Sequence, residues 1–110
     1  MLIYKILLPS EWADFEAAGA FDGSPFDRDS GFVHCSSRDQ VGRVAGHLFA
    51  QEPTLVVAAL DADALGEAVR WEPADGELFP HVYAPVPLDV VVAVHRIAGA
   101  GSVDEVLPRE

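Results

Sequence analysis

A single cysteine, Cys35, stands in a chain of 110 residues. A lone thiol excludes an intramolecular disulfide framework and any zinc site built from several cysteines. Basic residues are scarce too. Seven Lys and Arg face eighteen Asp and Glu, for a formal net charge of −11. A surface of that sign repels phosphate backbones and anionic headgroups, which argues against generic nucleic-acid binding and against membrane surfaces. No apolar run approaches the roughly 20 residues that span a bilayer. Residues 1–8 are apolar, but they carry no basic leader and no small-residue cleavage site. They read as a first strand rather than a signal peptide, and the expected compartment is the cytoplasm.

What is present is enough apolar material for a core. Half the residues are hydrophobic, and a chain of this size is one domain that buries about two-thirds of its unfolded surface. The domain is expected over residues 1–98, with 99–110 as a partly ordered tail of small and charged residues.

Along the chain, residues 2–8 predict a strand stopped by Pro9. Ser10 can cap a helix in which Trp12 and Phe15 share a face and Gly19 is the stop. Residues 22–31 are all polar, Gly or Pro except Phe26, and predict a loop. Residues 32–35 form a short strand. Ser37 then opens a helix, with Ser37 and Gln40 spaced as a capping box. Val41, Val44, Ala45, Leu48 and Phe49 make one apolar stripe, expected to pack on strands 54–60 and 88–97. The unbroken apolar run 54–60 predicts a central strand. Asp61 starts a short helical turn that Gly66 ends. In residues 69–72, Val69 and Trp71 are expected to face the core, with Arg70 and Glu72 opposite. Asp75-Gly76 signals a hairpin turn. Residues 79–84 form a strand with a proline, expected at an edge or bend, and 88–97 form a long strand. The order, with helices early and strands late, predicts an α+β fold. Its sheet is curved, mostly antiparallel or mixed, with about six strands and two or three helices.

None of the four histidines, His34, His47, His81 and His95, is paired with another at a metal-ligand spacing on one helix, so no metal is expected. His34 and Ser36 share a strand face that runs into the helix at Ser37. Such a junction can take an anion on its backbone N–H groups. The competing reading is that the serines only cap and His34 fills the core. Arg70 and Glu72 share a face, where they can grip an anion and accept a ribose hydroxyl, or simply pair across the sheet. His81 and Tyr83 repeat the pattern, suited to proton transfer and ring stacking, or to satisfying backbone at the proline bend. Cys35, opposite His34, reads as a small hydrophobe.

Taken in order, Ile3-Tyr4-Lys5-Ile6, Trp12, Asp29-Ser30-Gly31-Phe32-Val33-His34-Cys35-Ser36, Gln40, Val69-Arg70-Trp71-Glu72 and Phe79-Pro80-His81-Val82-Tyr83 resemble the bacterial family called domain of unknown function 952. Four separated motifs occur in order over nearly the whole chain. Cys35 stands where Leu is common, and Ala84 where Gly is common. The resemblance implies a fold similar to ADP-ribosyltransferases, including RNA 2′-phosphotransferases. It makes the His34 strand the first to contact NAD, with the histidine on a ribose hydroxyl. Glu72 and Tyr83 have the chemistry of the usual glutamate and tyrosine, in the reverse of the common order.

The expected site is thus one polar cleft covered by the 22–30 loop. In it, His34, Glu72 and Tyr83 are catalytic, and Ser36, Ser37, Arg70 and His81 hold the ligand. The ligand is a small anion or an NAD-like nucleotide, and the reaction is ADP-ribosyl transfer or glycosidic cleavage. The alternatives are a non-catalytic module for a small ligand or a protein, and a structural domain in which these polar residues are scattered.

Overall fold

Strand β4 (Leu55–Asp61) is buried along its whole apolar run because both of its faces and both of its edges are covered. The computed structural model, which describes residues 1–109, pairs β4 antiparallel with β1 (Leu2–Leu7) on one side and β8 (Val91–Ile97) on the other. Alternation divides the apolar side chains between two cores. On one face Ile3, Leu7, Val56 and Leu60 meet Trp12, Phe15 and Phe21. On the other Tyr4, Ile6, Leu55 and Val57 meet Val41, Ala45 and Val103. The expected central strand is central, and both of its neighbours are antiparallel.

A second three-stranded sheet, in the order β3 (Val33–His34), β6 (Glu77–Val82), β5 (Val69–Ala74), is also antiparallel. It is joined to the first where Tyr4 and Ser36 exchange backbone hydrogen bonds of 2.8 and 2.9 Å. Strands β2 (Ala20–Phe21) and β7 (Val86–Pro87) form a two-stranded ribbon. The α+β class holds, and every strand pairing described is antiparallel. The apolar segments are divided among three small sheets of eight strands, not one sheet of about six.

The helices depart from expectation in instructive ways. Helix α1 (Pro9–Ala18) begins at Pro9, not after a Ser10 cap. A proline suits the first helical position, where its missing N–H costs nothing. The Leu8 N–H is instead taken by the Glu11 carboxylate at 2.8 Å. Gly19 ends the helix at φ 78°, as its lack of a Cβ allows. The segment expected as a loop contains helix α2 (Pro25–Ser30). Ser24 caps it, Pro25 occupies its first turn, and Asp27 answers the cap from the third position. Those polar residues are helix punctuation rather than loop filler. Helix α3 (Arg38–Leu48) lies where the stripe put it, and Gln40 accepts the Ser37 N–H at 3.0 Å. Only part of that stripe reaches the core. Val41 and Ala45 are fully buried, Val44 and Phe49 are half-buried, and Leu48 is 56% exposed.

Three further expectations are corrected. Strand β6, which carries Pro80, is the middle strand of its sheet and not an edge. The proline lies beyond the last paired residue of the two-residue β3, where no ladder donor is required of it, and its carbonyl still accepts from the Cys35 N–H at 3.2 Å. Trp71 is 38% exposed, because β5 is an edge strand and only its first residue, Val69, packs against the core. Residues 99–109 are not a loose end. They form a 3₁₀ turn and a short helix (Val103–Val106), with Val103 and Leu107 buried against α3. The buried Arg38 side chain holds the carbonyls of Asp104, Leu107 and Pro108 in place. Glu110 lies outside the described residues.

Candidate functional site

Lys5 is out of place in an apolar strand. It shares a face with Ile3 and Leu7, so its ammonium must be satisfied inside the protein. The partner is Asp27 of α2, 1% exposed, which takes Lys5 Nζ at 2.9 and 3.2 Å. Asp27 also accepts the Ser24 N–H at 2.9 Å and the His34 N–H at 3.0 Å. His34 Nδ1 lies 2.6 Å from the same carboxylate. Burial pushes the Asp27 carboxyl up, but the His34 ring, the Lys5 charge and the backbone donors outweigh it. They hold the carboxyl far below the usual range.

A second pair stands beside the first. His34 and His81 face each other across β3 and β6, their ring centroids 5.8 Å apart. His81 Nδ1 is 2.7 Å from Glu72 Oε1, and the Tyr83 hydroxyl donates to the same oxygen at 2.6 Å. Those two contacts, the tyrosine's first, lower the Glu72 carboxyl, and in return Glu72 raises the Tyr83 phenol. Phe32 lies against both imidazoles, 3.9 Å from His81 and 4.5 Å from His34. Phe26, largely exposed, stacks on His34 at 4.3 Å. The Arg70 guanidinium sits over the Tyr83 ring at 4.5 Å, so it stacks rather than pairing with Glu72.

Both imidazoles line a cavity of about 880 Å³, with Lys5 and Ser36 beside them. A neutral histidine whose Nδ1 meets a carboxylate keeps its proton there, which leaves Nε2 as the lone-pair nitrogen. Among the described residues neither Nε2 has a hydrogen-bond partner. The arrangement therefore offers two proton-accepting nitrogens, each backed by an ionised carboxylate.

Of the residues singled out from sequence, His34, Ser36 and His81 line the cavity. Glu72, Tyr83 and Arg70 form the layer behind His81, with the carboxylate and the phenol turned toward each other. Ser37 lies elsewhere, in a hollow with Arg38, Asp39 and Arg109, and its N–H is already used by Gln40. The α3 N-terminus is thus not part of this cavity. Cys35 is buried, and burial pushes its thiol up to about 12, out of reach of nucleophilic use. Sequence reasoning missed Asp27, Lys5, Phe26 and Phe32. Two signals pointed to the first two: a lysine inside an apolar strand, and the Ser24–Asp27 spacing of a capping box. Among the described residues no three His, Cys, Asp or Glu side chains are grouped to hold a metal ion, and no helix is long and apolar enough to cross a membrane.

The chain is similar to protein CC0527 from Caulobacter crescentus. The crystal structure of that protein is 38% identical, with a TM-score of 0.83 over 87% of this chain and 85% of that one. Its solution NMR structure is 39% identical, with a TM-score of 0.77 over 86% and 82%. No curated protein matches. The family model described as "Protein of unknown function (DUF952)" matches residues 6–94. With four-fifths of its length inside that model, the chain belongs to the DUF952 family.

Proposed function

We propose that this protein binds a small organic molecule in the cavity and carries out proton transfer on it with His34 and His81. The observation that supports the reading is the pair of adjacent histidines, each tied through Nδ1 to an ionised carboxylate. Carboxylate backing fixes the tautomer and steadies the imidazolium that forms when Nε2 takes a proton. Asp27 and Glu72 are then positioning residues, and Tyr83 holds Glu72.

The family resemblance supplies a finer version, in which an ADP-ribosyltransferase-like fold takes an NAD-like nucleotide. The exposed Phe26 ring stacked on His34 favours a planar ligand there. In that version the bond between the ribose C1′ and nicotinamide breaks, and nicotinamide leaves with the electron pair. Water, or an acceptor hydroxyl, adds to the sugar cation, and its proton passes to His34 Nε2. In that version Glu72 serves through His81, whose Nδ1 meets its Oε1. The mutual engagement of Glu72 and Tyr83 favours the second reading, a binding module without turnover.

Calorimetry with NAD and ADP-ribose, beside a nicotinamide-release assay, separates these. Turnover that falls about 10²-fold or more in His34→Ala with binding kept supports the acid–base role. Binding without release leaves the module. Binding of neither compound removes the nucleotide version.

A further inference from the structure

The histidines occupy only one end of the cavity. Glu77, Phe79 and His81 alternate onto one face of β6, so the wall runs about 13 Å from His81 to Glu77. At Glu77 it meets α3, through Arg43 at 2.7 Å and Gln40 at 2.9 Å. The cavity also has an apolar wall. Ile6 and Leu8 from β1 and its end, Phe79 from β6, and Val44, Leu48 and Phe49 from α3 line it. Val44 and Phe49 pack on the core with part of their surface and stay half-buried, and Leu48 is left 56% exposed. A stripe wider than its protein contact leaves apolar surface for another occupant.

The charges around the cavity bear on what that occupant is. Its two ammonium or guanidinium groups are both engaged, Lys5 by Asp27 and Arg43 by Glu77. Glu11 and Asp75 stand on the wall as further carboxylates, in a chain of net charge −11. An anion would enter against this field and meet no uncommitted Lys or Arg in the cavity lining, where the other basic groups are His34, His47 and His81.

We infer that the ligand of this cavity is an uncharged molecule with an extended apolar group, seated along Val44, Leu48 and Phe49, and a polar end at His34 and His81. The inference rests on the reading of the cavity as a ligand site, and it narrows the ligand away from a charged dinucleotide. A second copy of the chain or a peptide fits less well. The cavity has the two imidazoles in its lining, and its volume of about 880 Å³ is that of a small-molecule site.

The test uses N-phenyl-1-naphthylamine, an uncharged apolar fluorophore, on the full chain at pH 8, with 1-decanol and decanoate as competitors. The expected result is saturable one-to-one binding, displaced by 1-decanol at least about tenfold better than by decanoate. Leu48→Glu, at an exposed position that folding does not need, is expected to weaken the probe at least about tenfold with the thermal midpoint unchanged. Three results would overturn the inference: no saturable binding, decanoate competing as well as the alcohol, or a dimer that Leu48→Glu dissolves. None of these touches the nicotinamide-release assay or the state of the imidazoles, so a failure here is distinct from a failure of the proton-transfer reading.

Discussion

At the scale of single residues, Asp27 has the most consequence. It is a buried carboxylate holding a buried ammonium, a histidine and a helix start at once. Asp27→Asn keeps the shape and the cap but leaves Lys5 charged and unpaired inside the protein. The expected cost is about 3–5 kcal/mol, read by urea unfolding at pH 7. The sign of the pH effect follows from the direction of the shift. The folded carboxyl titrates below the unfolded one, so its stabilisation is fully present above about pH 4–5. It is lost as pH falls toward the folded value, because the unfolded chain takes up the proton first. Between about pH 5 and pH 2 the parent should therefore lose stability more steeply than Asp27→Asn does. Equal slopes would show that Asp27 is not the paired group described. The Ser24–Asp27 spacing marked a helix start, but nothing local marked the burial, which depends on a lysine 22 positions earlier in the chain.

At the scale of elements, local signals were legible where they were repeated and unreadable where they were few. The stripe of α3 and the apolar run of β4 each place many side chains on a consistent pattern, and both elements formed as expected. Helix α2 has six residues, too short for any periodicity to show, and only its caps announce it. Periodicity also does not say how much of a face is covered. The α3 stripe is one row in sequence, but in the fold Val41 and Ala45 meet the sheet while Leu48 meets the cavity. Leu48→Ala should accordingly change stability by no more than about 0.5 kcal/mol. Leu55→Ala, at a fully buried position of β4, should cost about 2–5 kcal/mol. A comparable loss from both would mean that α3 is seated on the sheet along its entire stripe. The alternation of β5 and β6 read correctly for Arg70, Glu72, His81 and Tyr83. The same rule misjudged Trp71, because alternation names a face without saying whether anything packs on it.

At the scale of the whole molecule, the α+β class was legible and the division into sheets was not. That division depends on the bridge between Tyr4 and Ser36 and on a three-residue step from β6 to the β2–β7 ribbon, neither of which has a local signature. The same long-range pairings bring His34 and His81 together from positions 47 residues apart in the chain. The account rests on these two rings being held through Nδ1 by Asp27 and Glu72, with Nε2 left without a partner among the described residues. Long-range ¹H–¹⁵N correlation of the imidazoles in the ligand-free protein reads this directly. The predicted result is that His34 and His81, when neutral, both carry their proton on Nδ1, and that Asp27→Asn or Glu72→Gln disturbs only the histidine it faces. Neutral rings protonated on Nε2 in the parent protein would contradict the account.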